Sequence, residues 1–191
     1  MLAGEADVLN WHRRLYAGCR VPRAGYVGHF RGDVGVRDLV GYEVAMGRRR
    51  LADGFPEKVG VWSAELGIAI PSLIAGIQAG IRTLDSALEA GERPVTPDAV
   101  EAVVLLAART HGEWIRLHPF ANGNGGTGRV WANYIAMRYS LPPFVWVKPR
   151  PLESAYVRAS QTSMGRPPEF AGDHGPIAAV FARMLHDSLS R

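Results

Sequence analysis

The sequence contains one cysteine, Cys19, among its 191 residues. A single thiol excludes an internal disulfide framework and any zinc site built on several cysteines. Because no histidine lies close to Cys19 in the sequence, we expect an ordinary buried or partly exposed thiol rather than a nucleophile. Four of the six histidines show no spacing typical of metal ligands, which argues against a metal hydrolase: His12, His29, His174 and His186.

Long runs of like charge are absent as well. The chain has 22 Lys and Arg residues against 18 Asp and Glu residues, a formal net charge of +4 and a pI near 9.6. The tightest basic cluster, Arg48-Arg49-Arg50, is too short for a basic tract. We therefore interpret the positive charge as a solvated surface, and nucleic acid is not an expected partner.

No apolar run suggests a transmembrane helix, so no membrane partner is expected. The first residues, which include Glu5 and Asp7, lack the basic start and apolar stretch of a signal peptide. These features predict a cytoplasmic protein and leave specialised secretion without a cleavable signal open. A hydrophobic fraction of 47% and a charged fraction of 21% predict one folded domain over residues 1–191.

Hydrophobic periodicity predicts a mainly α fold. The clearest helix begins at Pro97 after a Thr96 cap and runs towards His118. The other helices are predicted over residues 5–18, 69–90, 151–164 and 176–190, and from Val130 to a stop at Leu141-Pro142-Pro143. The core helices and the central loop thus occupy residues 69–165. The glycine-rich segment 25–60 is predicted to form a small β-hairpin flap, with Val34–Val44 as its strand region.

One twelve-residue segment concentrates the residue types of a phosphate site: His118-Pro119-Phe120-Ala121-Asn122-Gly123-Asn124-Gly125-Gly126-Thr127-Gly128-Arg129. Glycines tolerate positive φ angles and let backbone N–H groups converge on an anion. Arg129 offers a permanently charged fork for phosphate, and His118 can accept a proton near neutral pH. The segment therefore predicts a phosphate-binding loop with a general base at its rim.

Two familiar phosphate motifs match this segment only in part. Gly123-Asn124-Gly125-Gly126-Thr127-Gly128 has the G-x-G-x-x-G spacing of dinucleotide-binding folds, but a predicted helix rather than a strand precedes it. The spacing also imitates a P-loop, in which Arg129 replaces the lysine and Val130 replaces the magnesium-binding hydroxyl. Neither motif has the structural context that it needs.

The arrangement of helix, His-Pro-Phe loop and helix resembles the Fic family, whose signature reads H-P-F-x-(D/E)-G-N-G-R-x-x-R. Seven positions match that signature: His118, Pro119, Phe120, Gly123, Asn124, Gly125 and Arg129. The resemblance implies a Fic-like helical bundle with a small β-hairpin flap, extending over about residues 20–165.

The resemblance also implies an AMPylation-type nucleotidyltransferase, which moves a nucleoside monophosphate from ATP or another NTP to a protein Ser, Thr or Tyr hydroxyl. His118 would be the general base and Phe120 the apolar anchor of the loop. The phosphates would lie on Gly123, Asn124, Gly125, Gly126, Thr127, Gly128 and Arg129. The flap would bind the target protein as an added strand.

Two positions depart from the signature. Asn122 replaces the acidic residue that ligates magnesium, so we expect Mg²⁺ to be held weakly, through the phosphates. Gly126 replaces an arginine that contacts phosphate, a loss worth about 1.5 to 3 kcal/mol. Reduced activity, a different phosphate donor and a retired fold all remain open at this stage. Three arginines are candidates to replace the missing one in space: Arg31, Arg116 and Arg138.

Other function classes also stay open. A catalytically retired Fic-like protein would bind a nucleotide or a partner through the same pocket, and a Doc-like kinase would deliver the terminal phosphate. Some family members carry an inhibitory helix with the pattern (S/T)-x-x-x-E-(G/N). The segment from Ser86 to Gly91 is one residue short of that pattern, so either a separate antitoxin-like partner inhibits the protein or there is no inhibition.

Overall fold

The computed structural model describes residues 2–50, 56–166 and 170–190. Within these ranges the chain forms six α-helices and one two-stranded antiparallel sheet, which confirms the mainly α prediction. The elements in chain order are α1 (Glu5–Leu15), β1 (Val44–Arg50), β2 (Pro56–Val59), α2 (Leu66–Asp85), α3 (Pro97–Leu117), α4 (Asn124–Arg138), α5 (Ser154–Met164) and α6 (Gly175–Leu189).

Helix α3 is the central helix of the bundle and packs against α2, α4, α5 and α6. It starts as the sequence predicts, because the Thr96 hydroxyl accepts a hydrogen bond from the Ala99 N–H at 3.2 Å and Pro97 occupies the first turn. Both Trp114 and Ala107 are fully buried, so its apolar stripe faces the core. Helix α3 ends at Leu117, and the next residue, His118, adopts the left-handed conformation with φ 53°.

Helix α4 begins earlier than the sequence predicts. Gly123 precedes it with φ 86°, and every residue from Asn124 to Arg138 is helical. Gly125, Gly126 and Gly128 therefore do not supply positive φ angles, and the expected long glycine loop is a turn over residues 118–123. The low helix propensity of glycine predicted a loop here, but tertiary packing outweighs that propensity and the three glycines are helical.

The flap hairpin lies later in the chain than predicted. Strands β1 and β2 pair with Val44 opposite Val59, whereas residues 34–43 form turns and a short 3₁₀-helix over Arg37–Leu39. The turn is stabilised locally, because the Asp33 carboxylate accepts a hydrogen bond from the Gly35 N–H at 2.8 Å. The assignment of strands to Val34–Val44 was therefore wrong, apart from its last residue.

Helix α2 ends at Asp85, five residues before the predicted end at residue 90. Its termination coincides with a long-range contact, because Arg138 donates to the Asp85 carboxylate at 2.9 and 2.6 Å. Ser63–Asp85 is also long and apolar enough to cross a membrane, with a mean hydropathy of 1.5 and 28% of that window buried. The prediction that no apolar run reaches transmembrane length was therefore wrong. Core helices of soluble proteins meet the same criterion of length and composition.

Candidate active site

The turn between α3 and α4 is closed by the Asn124 side chain. Its Oδ1 accepts a hydrogen bond from the Phe120 N–H, and its Nδ2 donates to the Phe120 carbonyl, both at 2.8 Å. Phe120 itself is fully buried among Phe30 and Trp114. These bonds fix the turn backbone, so the predicted anchor position of Phe120 agrees with its place in the core. Both polar atoms of the Asn124 side chain therefore bind the turn backbone rather than a ligand.

His12 of α1 contacts the turn through Asn122 and Phe120, a role that the sequence did not predict. Its Nδ1 accepts a hydrogen bond from the Gly28 N–H, and its Nε2 donates to the Asn122 carbonyl, both at 2.9 Å. The ring stacks on Phe120 with 3.8 Å between ring centroids. Burial lowers the pKa of His12, which keeps it neutral and matches one donor and one acceptor nitrogen.

Arg31 connects the turn to the flap side of the molecule. Its guanidinium donates to the carbonyls of His118 and Leu117 at 2.6 and 3.0 Å, and to the Glu43 carboxylate at 2.7 Å. It also donates to the Val61 carbonyl. Because Arg31 is 1% exposed and makes these four contacts, its guanidinium is a structural clamp and is not directed at a ligand.

His118 lies at the rim of a cavity, half-buried. Its Nδ1 is 3.3 Å from the Ile115 carbonyl, and because a carbonyl can only accept, Nδ1 carries the proton. The Nε2 atom is therefore left as a proton acceptor. Burial lowers the pKa of His118 to about 4, against weaker opposing support from the Ile115 carbonyl. A neutral imidazole with a free Nε2 is the form that a general base requires.

The N-terminus of α4 forms the floor of this cavity. The first intrahelical donor is Thr127, whose N–H bonds to the Gly123 carbonyl at 3.0 Å, so the preceding N–H groups have no intrahelical acceptor. Those groups belong to Asn124, Gly125 and Gly126, which all line the cavity. A helix N-terminus carries partial positive charge and binds anions. The structure thus brings these three predicted residues together by helix geometry rather than by a nest of left-handed glycines.

The cavity has a volume of about 490 Å³ and is completed by residues from the end of α1, from α3, from α5 and from the segment that precedes α5. Its further lining residues are Leu15, Tyr16, Ile115, Val147, Lys148, Arg150, Tyr156, Val157, Ser160, Gln161 and Met164. This volume is within the range of small-molecule sites. Two residues from the predicted set, Thr127 and Gly128, are buried in α4 and do not line it.

Arg129 lies in the cavity wall and is 6% exposed. Its terminal nitrogens donate to the Tyr156 hydroxyl at 3.0 Å and to the Val147 carbonyl at 2.9 Å. Its Nε is buried and finds no hydrogen-bond partner among the residues that the structure describes. Because this Nε has almost no accessible surface, contact of Arg129 with an anion in the cavity would be made by its terminal nitrogens, each of which has a second N–H.

None of the three arginines considered as replacements for the residue missing at Gly126 reaches the cavity. Arg31 is the clamp described above, Arg116 pairs with Glu113 at 2.7 Å, and Arg138 pairs with Asp85 at 2.6 Å. The cationic side chains that do line it, besides Arg129, are Lys148 and Arg150. Neither residue is predicted from the sequence, because both lie in a proline-rich segment without periodicity and follow no known spacing from His118.

The residues around the turn do not suit a protein-bound magnesium ion. Asn122 is exposed at the cavity, but its Oδ1 accepts a hydrogen bond from the Gly123 N–H at 2.7 Å. No aspartate or glutamate is among the lining residues, and no cluster of three metal-binding side chains occurs in the described part of the chain. Magnesium prefers several oxygen ligands, usually with carboxylates among them. The surroundings of Asn122 therefore argue against a magnesium ion held by the protein alone, and weak binding through the phosphates of a nucleotide stays a prediction.

Comparisons with known proteins identify the family and the fold. A model of the Fic/DOC family matches residues 3–136. The fold is similar to the crystal structure of a Fic domain containing signaling protein from Bacteroides thetaiotaomicron, with a TM-score of 0.62 and 20% sequence identity. That match covers 98% of this chain and 61% of the other, so the chain spans less than two thirds of its structural relative. No curated protein matches.

Proposed function

The chain belongs to the Fic/DOC family, and we propose that it transfers a nucleoside monophosphate from ATP or another NTP to a Ser, Thr or Tyr hydroxyl of a target protein. The observation that carries this proposal is His118 at the rim of a cavity whose floor is the N-terminus of α4. A proton acceptor and an anion site in one cavity suit attack of a hydroxyl on phosphorus.

In the proposed reaction, His118 Nε2 takes the proton of the target hydroxyl. The hydroxyl oxygen forms a bond to the α-phosphorus of the nucleotide, and the bond from that phosphorus to the leaving pyrophosphate breaks. The free N–H groups of Asn124, Gly125 and Gly126 stabilise the charge that develops on the α-phosphate. Arg129 lies within the same wall and attracts the remaining phosphates. Any magnesium that takes part arrives with the triphosphate as part of the substrate.

The target would be positioned by the flap. Gly60 follows β2 with φ 79°, and a Cβ at this position would lie 2.4 Å from the His118 Cβ. The end of the hairpin is therefore in close contact with the residue that takes the proton. A two-stranded sheet leaves an open edge on each strand, and an extended target segment can pair with such an edge. Such pairing would bring a hydroxyl of the target towards His118.

Label transfer tests this proposal. The protein is incubated with a cell lysate and ATP labelled at the α-phosphate, with ATP labelled at the γ-phosphate in a parallel reaction. Transfer of the α label to protein, lost in His118→Asn, is expected. Asparagine is chosen because it tolerates the left-handed backbone of position 118 better than alanine. Transfer of the γ label instead indicates the kinase alternative.

A catalytically retired protein is the second candidate, favoured by the glycine at position 126 and by the missing carboxylate at Asn122. Such a protein binds nucleotide but transfers neither label in any lysate. Inhibition by a separate antitoxin-like protein is part of the proposal for an active enzyme. Co-expression with products of adjacent genes tests it, because an inhibitor abolishes the label transfer without changing the abundance of the enzyme.

A further inference from the structure

Three cationic side chains line the cavity: Arg129, Lys148 and Arg150. The same lining, which lies wholly within the described part of the chain, contains no carboxylate to balance them. A cavity with this excess of positive charge attracts phosphates and repels a divalent cation. Its charge is therefore the opposite of what a protein-bound magnesium ion requires.

Lys148 extends from the segment before α5 to the end of α1. Its Nζ donates to the carbonyl of Leu15, the last residue of α1, and lies 5.5 Å from the centre of the Tyr16 ring. Nζ also lies 3.8 Å from the Cys19 Sγ, and since an ammonium group has three donors, one N–H remains free to bind a ligand. The Leu15 carbonyl thus holds the charge at the cavity mouth without neutralising it.

Arg150 is exposed at the same mouth and has no ion-pair partner among the residues that the structure describes. Glu153, which lines a neighbouring cavity together with Arg150 and Asp187, pairs with Arg183 at 2.9 Å, so no described ion pair cancels the charge of Arg150. Guanidinium groups bind phosphate oxygens in pairs, which suits the outer phosphates of a triphosphate.

The segment that carries both cations is fixed to α4 rather than loosely attached. Asn133 donates from Nδ2 to the Val145 carbonyl at 2.8 Å, and its Oδ1 accepts from the N–H groups of Phe144 and Val145 at 3.1 and 3.2 Å. Arg129 adds its bond to the Val147 carbonyl at 2.9 Å. These bonds place Lys148 and Arg150 against the cavity by rigid contacts with the helix that supplies its floor.

We infer that the cavity binds the phosphates of its nucleotide without a protein-bound divalent cation, with Lys148 and Arg150 supplying the positive charge. The inference rests on the proposed function, since it concerns the same nucleotide. Both residues lie beyond residues 3–136, the part that matches the family model, so the family match assigns them no role. Lys148 and Arg150 supply positive charge to a cavity in which Gly126 has no side chain and Asn122 has only a neutral amide.

Calorimetric titration of ATP into the intact protein tests the inference, once in EDTA and once in millimolar magnesium. The dissociation constant in EDTA is expected to be no more than about threefold weaker than in magnesium. Lys148→Met and Arg150→Met are each expected to weaken ATP binding about tenfold, whereas Arg109→Met leaves it unchanged. Arg109 is an exposed residue of α3 outside the cavity, and its variant removes the same charge.

An affinity that drops more than about threefold in EDTA overturns the inference and leaves the transferase proposal standing. The inference also fails if Lys148→Met and Arg150→Met both bind ATP as tightly as Arg109→Met. Absence of ATP binding in both buffers contradicts the proposed function along with it. All three side chains are exposed, so thermal unfolding midpoints close to that of the parent protein establish that the variants are folded.

Asn122→Asp provides the reverse test. The new carboxylate adds a magnesium ligand beside the phosphates, so magnesium is expected to tighten ATP binding by this variant by more than about threefold. If this variant binds ATP equally well with and without magnesium, the missing carboxylate at position 122 is not the reason that the parent binds ATP without a divalent cation.

Discussion

Arg31 donates a 2.6 Å hydrogen bond from its Nε to the carbonyl of His118. The two residues are 87 positions apart, and the bond joins the flap side of the molecule to the end of α3. Because the same guanidinium also binds the Glu43 carboxylate at 2.7 Å, it holds three parts of the chain in one arrangement. The position of the proposed base is therefore set by a residue that does not contact the cavity.

Replacing Arg31 by methionine should destabilise the protein. The change leaves the carbonyls of His118, Leu117 and Val61 without their donor and removes the partner of Glu43, so we expect a loss of about 3 kcal/mol or more in the free energy of unfolding. Urea denaturation measures it. Arg23→Met is the matched control, since the exposed pair of Arg23 with Asp38 contributes less than about 1 kcal/mol. Equal losses in the two variants would contradict the clamp.

Gly123 is required by both its backbone angle and its surroundings. An added Cβ would lie 2.8 Å from the Tyr16 ring and 2.9 Å from His12 Nε2, at a φ of 86°. Gly123→Ala is therefore expected to lower the free energy of unfolding by more than about 1 kcal/mol. Gly76→Ala in α2 meets nothing within 4 Å and is expected to be neutral or stabilising by about 0.5 to 1 kcal/mol. A Gly123→Ala variant as stable as the parent would disprove the close approach.

Gly126→Arg should tighten nucleotide binding. The position lies in the first turn of α4, and an added Cβ would be 3.2 Å from Leu15 Cδ1, a flexible end that can shift. The new guanidinium adds a charge-assisted contact to phosphate, worth about tenfold in the dissociation constant of ATP. Calorimetry compares it with Gly126→Gln, which adds similar bulk without charge. If both variants bind ATP equally, the guanidinium makes no phosphate contact there.

Buried His111 should make the protein acid-sensitive. Burial, with a smaller contribution from the Arg129 charge, lowers the pKa of His111 from 6.5 to about 3. The unfolded chain therefore binds a proton near pH 6.5 that the folded chain refuses until about pH 3, so stability falls as the pH falls through that window. His111→Gln, which can still accept from the Tyr156 hydroxyl, should lose less stability between pH 7 and pH 5. Urea denaturation at pH 7 and pH 5 measures these losses. If the parent and His111→Gln lose the same free energy of unfolding between the two pH values, His111 does not cause the acid sensitivity.

The sequence carries enough information for the helical elements and for the identity of the turn. Thr96 and Pro97 mark the start of α3 by local chemistry, and the His-Pro-Phe string is visible without any structure. The start of α4 could not be predicted from local sequence. It depends on the hydrogen bond from the Phe120 N–H to the Asn124 side chain and on three glycines that are helical in the folded protein. Local composition outweighed that tertiary contact in the prediction.

The supporting residues of the site were beyond reach for a different reason. His12 binds the Asn122 carbonyl across 110 residues, and Lys148 binds the Leu15 carbonyl across 133. No periodicity or spacing encodes such pairs in a single sequence, since only the fold brings them together. The hairpin was misplaced because the valines around residues 34–44 suggested strands, whereas the short 3₁₀-helix at Arg37–Leu39 buries Leu39 instead.

The dependence of α-label transfer on pH and on His118 tests the central claim most directly. Because burial lowers the pKa of His118 to about 4, Nε2 stays deprotonated well below pH 6.5. Initial rates of transfer from ATP labelled at the α-phosphate should therefore fall by less than about twofold between pH 7.5 and pH 6, and His118→Asn should reduce them by about a hundredfold or more at both pH values. A rate that halves near pH 6.5, or a His118→Asn variant that transfers the label as fast as the parent, would contradict a neutral His118 as the base.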